Sequence, residues 1–163
     1  MITDLPEQLI AQAQFLVYDA VSSEANLRRG VSSAYYALFH LLIRDATANW
    51  KHVDHRARLA RTFDHKRMKD VSTAILKTIR SSGNGKTDSE RSVHTNLYIV
   101  AEAFVDLQNA RHRADYDIAE PFPQADAALA VDEGVVAFVT WADIRDAPIA
   151  QNYLYNLLFK DRS

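Results

Sequence analysis

Arg111, His112, Arg113, Asp115 and Tyr116 place two guanidinium groups, an imidazole, a carboxylate and a phenol within one short stretch of chain. A guanidinium can hold a phosphate through two parallel hydrogen bonds, and an imidazole can move protons near neutral pH. Those are the parts needed to cleave RNA without a metal. One group takes the proton of a ribose 2′-hydroxyl as it attacks the adjacent phosphate, and an arginine stabilises the charge on the phosphorane. The plainer alternative is structural. Arg111 and Asp115 lie one helical turn apart and can form an ion pair that ties helices together. His112 and Tyr116 are also one turn apart and share a neighbouring face.

A second set lies upstream. Arg29, Ser33, Tyr36 and His40 step by four, three and four, which stacks them on one face of a helix. Leu27, Val31, Ala34, Leu38 and Leu41 recur at helical spacing beside them and form an apolar stripe. Such a helix packs against a core and also faces something polar. Alternatively, Tyr36 and His40 are half-buried residues satisfied by their neighbours.

Several elements must position these two sets. A first helix is expected from Asp4 or Leu5, with Asp4 as N-cap, Pro6 early and Glu7 in capping-box position. Its apolar face is Leu9, Ala13, Leu16, Val17 and Ala20. Ser22 or Ser23 can cap a second helix running to about Thr47, which carries Arg29 to His40. Gly30 sits in its first turns, at a cost of about 1 kcal/mol relative to alanine, and close approach of another backbone would explain it. Asp54 to Arg61 is expected to be a short basic helix, and Asp64 starts another that buries Met68, Val71, Ile75, Leu76 and Ile79. Ser81 to Ser89 has no apolar residue and reads as a mobile loop. A long helix follows from about Glu90 to Tyr116 on a core stripe of Leu97, Val100, Phe104 and Leu107. Continuing by four reaches Arg111, while Glu102, Asp106, Asn109 and Arg113 mark the solvent side. Residues 124–145 form another helix, with Ala128, Val131, Val135, Phe138, Val139 and Trp141 apolar. Pro148 breaks it before a short terminal helix from Ile149 to Phe159.

With 163 residues, 48% hydrophobic, four glycines and four prolines, the composition suits one all-helical domain over 1–163. Its core is expected at about 5–145, with a helical extension over 146–163. The absence of cysteine excludes disulfides and thiolate metal sites and is compatible with a reducing cytosol. Asp4 and Glu7 stand where a signal peptide wants positive charge, and no apolar run is long enough to span a bilayer. The expected location is therefore cytoplasmic, away from membranes. The net charge of −2 hides an asymmetry: residues 51–91 hold 11 Lys and Arg against 5 Asp and Glu, so that block is basic and the remainder acidic. Such a block can bind nucleic acid, an acidic partner or the protein's own acidic surface, or be neutralised within the fold.

Three other signals are weak. Gly83 to Thr87 ends like a phosphate-binding loop, but Arg80 occupies the position of its first glycine and no strand precedes it. His52, Asp54, His55 and His65 do not have a convincing metal-ligand spacing, and no metal or cofactor is expected. No nucleophile elbow supports a Ser-His-Asp site.

Taken together, Arg29 to His40, "RGVSSAYYALFH", and Asn109 to Asp117, "NARHRADYD", resemble the paired signatures of the HEPN superfamily. The order of elements is similar too, and the resemblance covers about residues 5–145. It implies an up-and-down four-helix bundle with extra short helices. It also implies a homodimer in which the two Arg motifs face each other. Many HEPN proteins are metal-independent endoribonucleases of toxin–antitoxin, phage-defence or RNA-processing systems, often encoded beside a nucleotidyltransferase-type antitoxin. Others are non-catalytic modules that bind RNA, a nucleotide or a partner protein.

By that resemblance Arg111, His112, Asp115 and Tyr116 are the candidate catalytic residues. Arg29, Ser33, Tyr36, His40 and Arg113 are the candidate ligand-binding residues. The chain departs from the ribonuclease signature at one point. After Arg111 and four further residues comes Tyr116 instead of histidine, and neither 117 nor 118 is histidine. A phenol, with an ordinary pKa of about 10, is a poor base at neutral pH. His112 within the motif or His40 from the other helix would have to serve instead. A third reading is a scaffold whose polar stripe only makes the homodimer.

Overall fold

The computed structural model describes residues 4–82 and 86–159. Among them every regular element is helical and no strand occurs. The elements are α1 (Leu5–Gln14), a π-helical turn (Phe15–Asp19), α2 (Glu24–Ala48), α3 (Val53–Ala60), α4 (His65–Ser81), α5 (Asp88–Tyr116), α6 (Gln124–Ile144) and α7 (Pro148–Leu158). Gly83, Asn84 and Gly85, the centre of the expected loop, lie outside the described residues. None of the described helices is long and apolar enough to cross a membrane.

The helix starts follow local chemistry. Ser23 Oγ accepts from the Asn26 N–H at 3.1 Å and caps α2. Asp64 Oδ1 accepts from the Arg67 N–H at 2.8 Å and caps α4. Thr87 and Glu90 form a reciprocal capping box: the Thr87 N–H donates to Glu90 Oε2 at 2.7 Å, and the Glu90 N–H to Thr87 Oγ1 at 3.2 Å. The Thr87 N–H and hydroxyl, both donating to Oε2, hold the Glu90 carboxyl below its ordinary pKa. Helix α5 therefore begins at Asp88, two residues before the expected start. The box expected at Asp4 and Glu7 does not form. Asp4 makes no side-chain cap and instead accepts from Gln8 Nε2 at 2.9 Å.

The chain divides into two compact units, Met1–Leu41 with Ala103–Phe138, and Leu42–Glu102 with Val139–Ser163. In the first, Gly30 is where backbones come close. A Cβ there would meet Val17 Cγ2 at 2.5 Å and the Ala13 carbonyl oxygen at 3.3 Å. The expected stripes of α2 and α5 are buried, including Leu27, Val31, Ala34, Leu38, Phe104 and Leu107. Tyr35 is fully buried too, with its ring 5.6 Å from that of Phe104. Tyr18 donates to Asp132 at 2.6 Å, and Gln124 Nε2 donates to the Val17 carbonyl at 2.9 Å.

In the second unit the fully buried Tyr153 shares a 2.7 Å hydrogen bond with Ser72, and its ring lies 6.3 Å from that of Trp141. Trp141 Nε1 donates to Asp45 Oδ2 at 2.8 Å. Burial raises the Tyr153 phenol well above its ordinary pKa, so this group stays neutral. Val139 is 64% exposed. Helix α6 is apolar nearly all round, so its sequence does not mark the inward face; Ala127, Ala130, Val131, Ala137, Trp141 and Ile144 form it.

Candidate functional site around Arg111

Arg111 continues the buried stripe of α5, and its side chain is 12% exposed. Its guanidinium carbon lies 5.1 Å from the Tyr35 ring centroid, 5.7 Å from that of Tyr36 and 5.9 Å from that of Tyr116. Three phenol rings thus surround one cation, an arrangement that the negative faces of aromatic rings favour. Nη1 of Arg111 lies 3.5 Å from Asp115 Oδ2, one turn on. Asp115 is held in turn, because Ser32 Oγ donates to its Oδ1. Burying Arg111 is affordable because its charge is balanced and its flat faces are covered by rings. Its Nε is buried without a hydrogen-bond partner among the described residues.

The rings continue outward. His112 and Tyr116 have centroids 5.0 Å apart, and Tyr116 is 63% exposed. Tyr36 and His40 stack at 6.2 Å with an interplanar angle of 27°. Tyr36 is thus a neighbour of both the Arg111 guanidinium and the His40 imidazole. Chemically the cluster offers a fixed cation, a carboxylate that orients it, and the exposed His112–Tyr116 pair.

Other candidates lie elsewhere. Ser33 donates to Gln12 Oε1 at 3.0 Å and ties α2 to α1. Arg113 pairs with Asp126 and lies 4.4 Å above the Phe122 ring, so it fastens the chain that follows α5. Arg29 is exposed, and its side chain pairs with no described residue.

Arg28 has a role that the sequence reading missed. Its Nη1 donates to the carbonyls of Arg113, Ala114 and Asp117 at 3.2, 2.9 and 2.9 Å, and its Nη2 to that of Glu120 at 2.7 Å. Glu24 holds it from one turn back at 2.7 Å. The last turn of α5, which carries Asp115 and Tyr116, is thus capped by a cation from α2. The only local hint was the Glu24–Arg28 spacing, which reads as an ordinary surface pair.

No described group of three or more His, Asp or Glu side chains could hold a metal ion. Comparison with known proteins matches the chain to no family model, no curated protein and no solved structure.

Proposed function

We propose that this is a HEPN-type protein with an up-and-down four-helix bundle, acting as a metal-independent endoribonuclease at the Arg111 cluster. The observation that carries the reading is the caged Arg111 guanidinium beside the exposed His112–Tyr116 pair. In this reading the 2′-oxygen bonds to phosphorus as its proton passes to His112. The bond from phosphorus to the 5′-oxygen breaks, and that oxygen takes up a proton from solvent water. Arg111 stabilises the phosphorane charge, Asp115 orients Arg111, and Tyr116 supports His112. The products are a 2′,3′-cyclic phosphate and a 5′-hydroxyl.

The test is incubation of the purified full chain with structured and unstructured RNA in the presence of a chelator. Cleavage that persists in the chelator and is lost in folded Arg111→Lys and His112→Ala variants supports the proposal. Intact RNA with all three proteins overturns it.

A second reading is a non-catalytic module in the same cluster, working as a homodimer. It is favoured by one observation: Arg111 is already paired with Asp115 and shielded by rings. This version predicts that RNA or a nucleotide raises the melting temperature without cleavage. A nucleotidyltransferase-type antitoxin is the partner the first reading expects, and a neighbouring gene of that kind would favour it.

A further inference from the structure

The second unit holds another aromatic and basic surface. Trp50, between α2 and α3, is 42% exposed. It borders a cavity of about 280 Å³ whose walls include Leu59, Leu154, Tyr155, Leu158 and Phe159. Tyr155 and Phe159, 54% and 41% exposed, have ring centroids 4.8 Å apart. Asn49 and Gln151 also line this cavity, and Asn49 Nδ2 donates to Gln151 Oε1 at 2.7 Å. That bond leaves the Asn49 carbonyl available to a polar ligand edge. A second cavity, of about 440 Å³, is lined by His55, Arg58 and Thr62, and again by Trp50 and Leu59. The indole is therefore a wall of two adjoining cavities.

Charge follows the same stretch of chain, and Arg58 lines the second cavity. Residues 50–62 carry Lys51, Arg56, Arg58 and Arg61 against the single carboxylate of Asp54. Arg56 is committed to the Trp50 and Ala48 carbonyls at 2.9 and 3.1 Å, which fixes the backbone at the indole. Lys51, Arg58 and Arg61 are exposed, and their side chains pair with no described residue. The basic block elsewhere is largely used up. Lys66 pairs with Asp70, Arg91 with Asp88, and Arg67 donates to the Asn156 carbonyl at the end of α7.

We infer that the Trp50 surface of the second unit binds a single-stranded nucleic acid, its bases stacked on the indole and its phosphates on Lys51, Arg58 and Arg61. Flat exposed rings with unpaired cations suit a strand whose every base has a π-face and whose every link carries a charge. Two cavities sharing one indole favour successive bases over a lone nucleotide. The inference is independent of the Arg111 reading, since it concerns different residues and needs no cleavage.

Intrinsic fluorescence tests it on the full chain. Trp141 is 1% exposed and bonded to Asp45, so its emission serves as an internal reference, and quenching reports Trp50. The probes are 2′-O-methyl oligouridine and oligothymidylate about 12 nucleotides long, within the site sizes of single-strand binders. Neither has a 2′-hydroxyl to cleave. Heparin is the polyanion without bases, and a polyglutamate peptide is the acidic chain.

Saturable quenching by the oligonucleotides is expected, weakening as salt rises. Trp50→Ala, with binding followed on a labelled strand, should weaken affinity roughly tenfold. Arg58→Glu should also weaken it and flatten the salt dependence. Equal quenching by heparin or polyglutamate, or unchanged binding in both folded variants, overturns the inference. Cleavage of natural RNA without Trp50 quenching overturns it while leaving the Arg111 reading intact. Quenching without cleavage does the reverse.

Discussion

The Arg111 cluster and the Trp50 surface use the same residue types in opposite ways. At Arg111 the cation is largely, not fully, buried, paired with Asp115 and flanked by Tyr35, Tyr36 and Tyr116. At Trp50 the rings are exposed, and Arg58 beside them lacks a partner among the described residues. The first arrangement contributes to the stability of its own unit. The second leaves interactions unmade, and these are available to a ligand. Aromatic and basic residues close together in sequence therefore do not reveal a binding surface by themselves; the burial of the cation decides whether it is already used.

Substitutions can break or sharpen that contrast, and urea unfolding of the full chain measures most of them. The largest loss is expected for Arg28→Ala, at about 3 kcal/mol, because two carbonyls in the last turn of α5 and two in the segment after it lose a charged donor. A loss below about 1 kcal/mol would mean that water replaces this cap readily. Arg111→Ala should cost about 2 kcal/mol, since it empties the ring cage and leaves Asp115 unpaired. Arg111→Lys should recover only part of that, because an ammonium has no flat face to lie between rings.

Within the first unit, Gly30→Ala should cost about 1–2 kcal/mol. The new methyl would meet Val17 Cγ2 at 2.5 Å, which outweighs the gain in helix propensity. At Gly134→Ala the one tight contact is the end of Ile10, Cδ1, at 3.2 Å, with Ala34 and Leu107 at ordinary contact distance, and the change should be close to neutral.

Tyr153→Phe should cost about 1 kcal/mol by removing the Ser72 bond. It should also change the alkaline limb of stability. Burial raises the folded-state pKa above the ordinary 10.0, so the contribution is complete below that pH and is lost as pH rises through the folded value. The phenylalanine variant should therefore lose less stability than wild type between neutral pH and about pH 11. The smallest effect is expected for Arg58→Ala, within about 0.5 kcal/mol, because it removes no contact with a described residue. If it cost as much as Arg111→Ala, the contrast between the two regions would fail.

Much of the helical layout was legible in order. Asp64 and Ser23 are local caps, and Leu97 to Leu107 form a stripe because side chains three and four apart share a face. The start of α5 was misplaced because Thr87 and Glu90 bond reciprocally just upstream of the expected start. The turn at Phe15–Asp19 was not anticipated, since π-helical geometry has no local sequence rule comparable to a cap. At the candidate site, the Arg111–Asp115 pairing and the His112–Tyr116 proximity followed from one-turn spacing. Arg29 shares a helix face with Tyr36 yet pairs with no described residue, because a shared face does not determine how far a long side chain reaches or what it meets, and Arg113, on the solvent side of α5, pairs with Asp126.

The sequence by itself determined that the chain is helical, where most helices begin and end, and which residues line the faces of α2 and α5. Those properties arise from interactions over one or two turns. Only the tertiary structure decided that Arg28 caps the far end of α5, that Ser32 holds Asp115, and that Tyr35 and Tyr36 enclose Arg111. Each of those contacts joins residues more than 70 positions apart. Such pairs meet only after the helices pack, so no local spacing rule can find them.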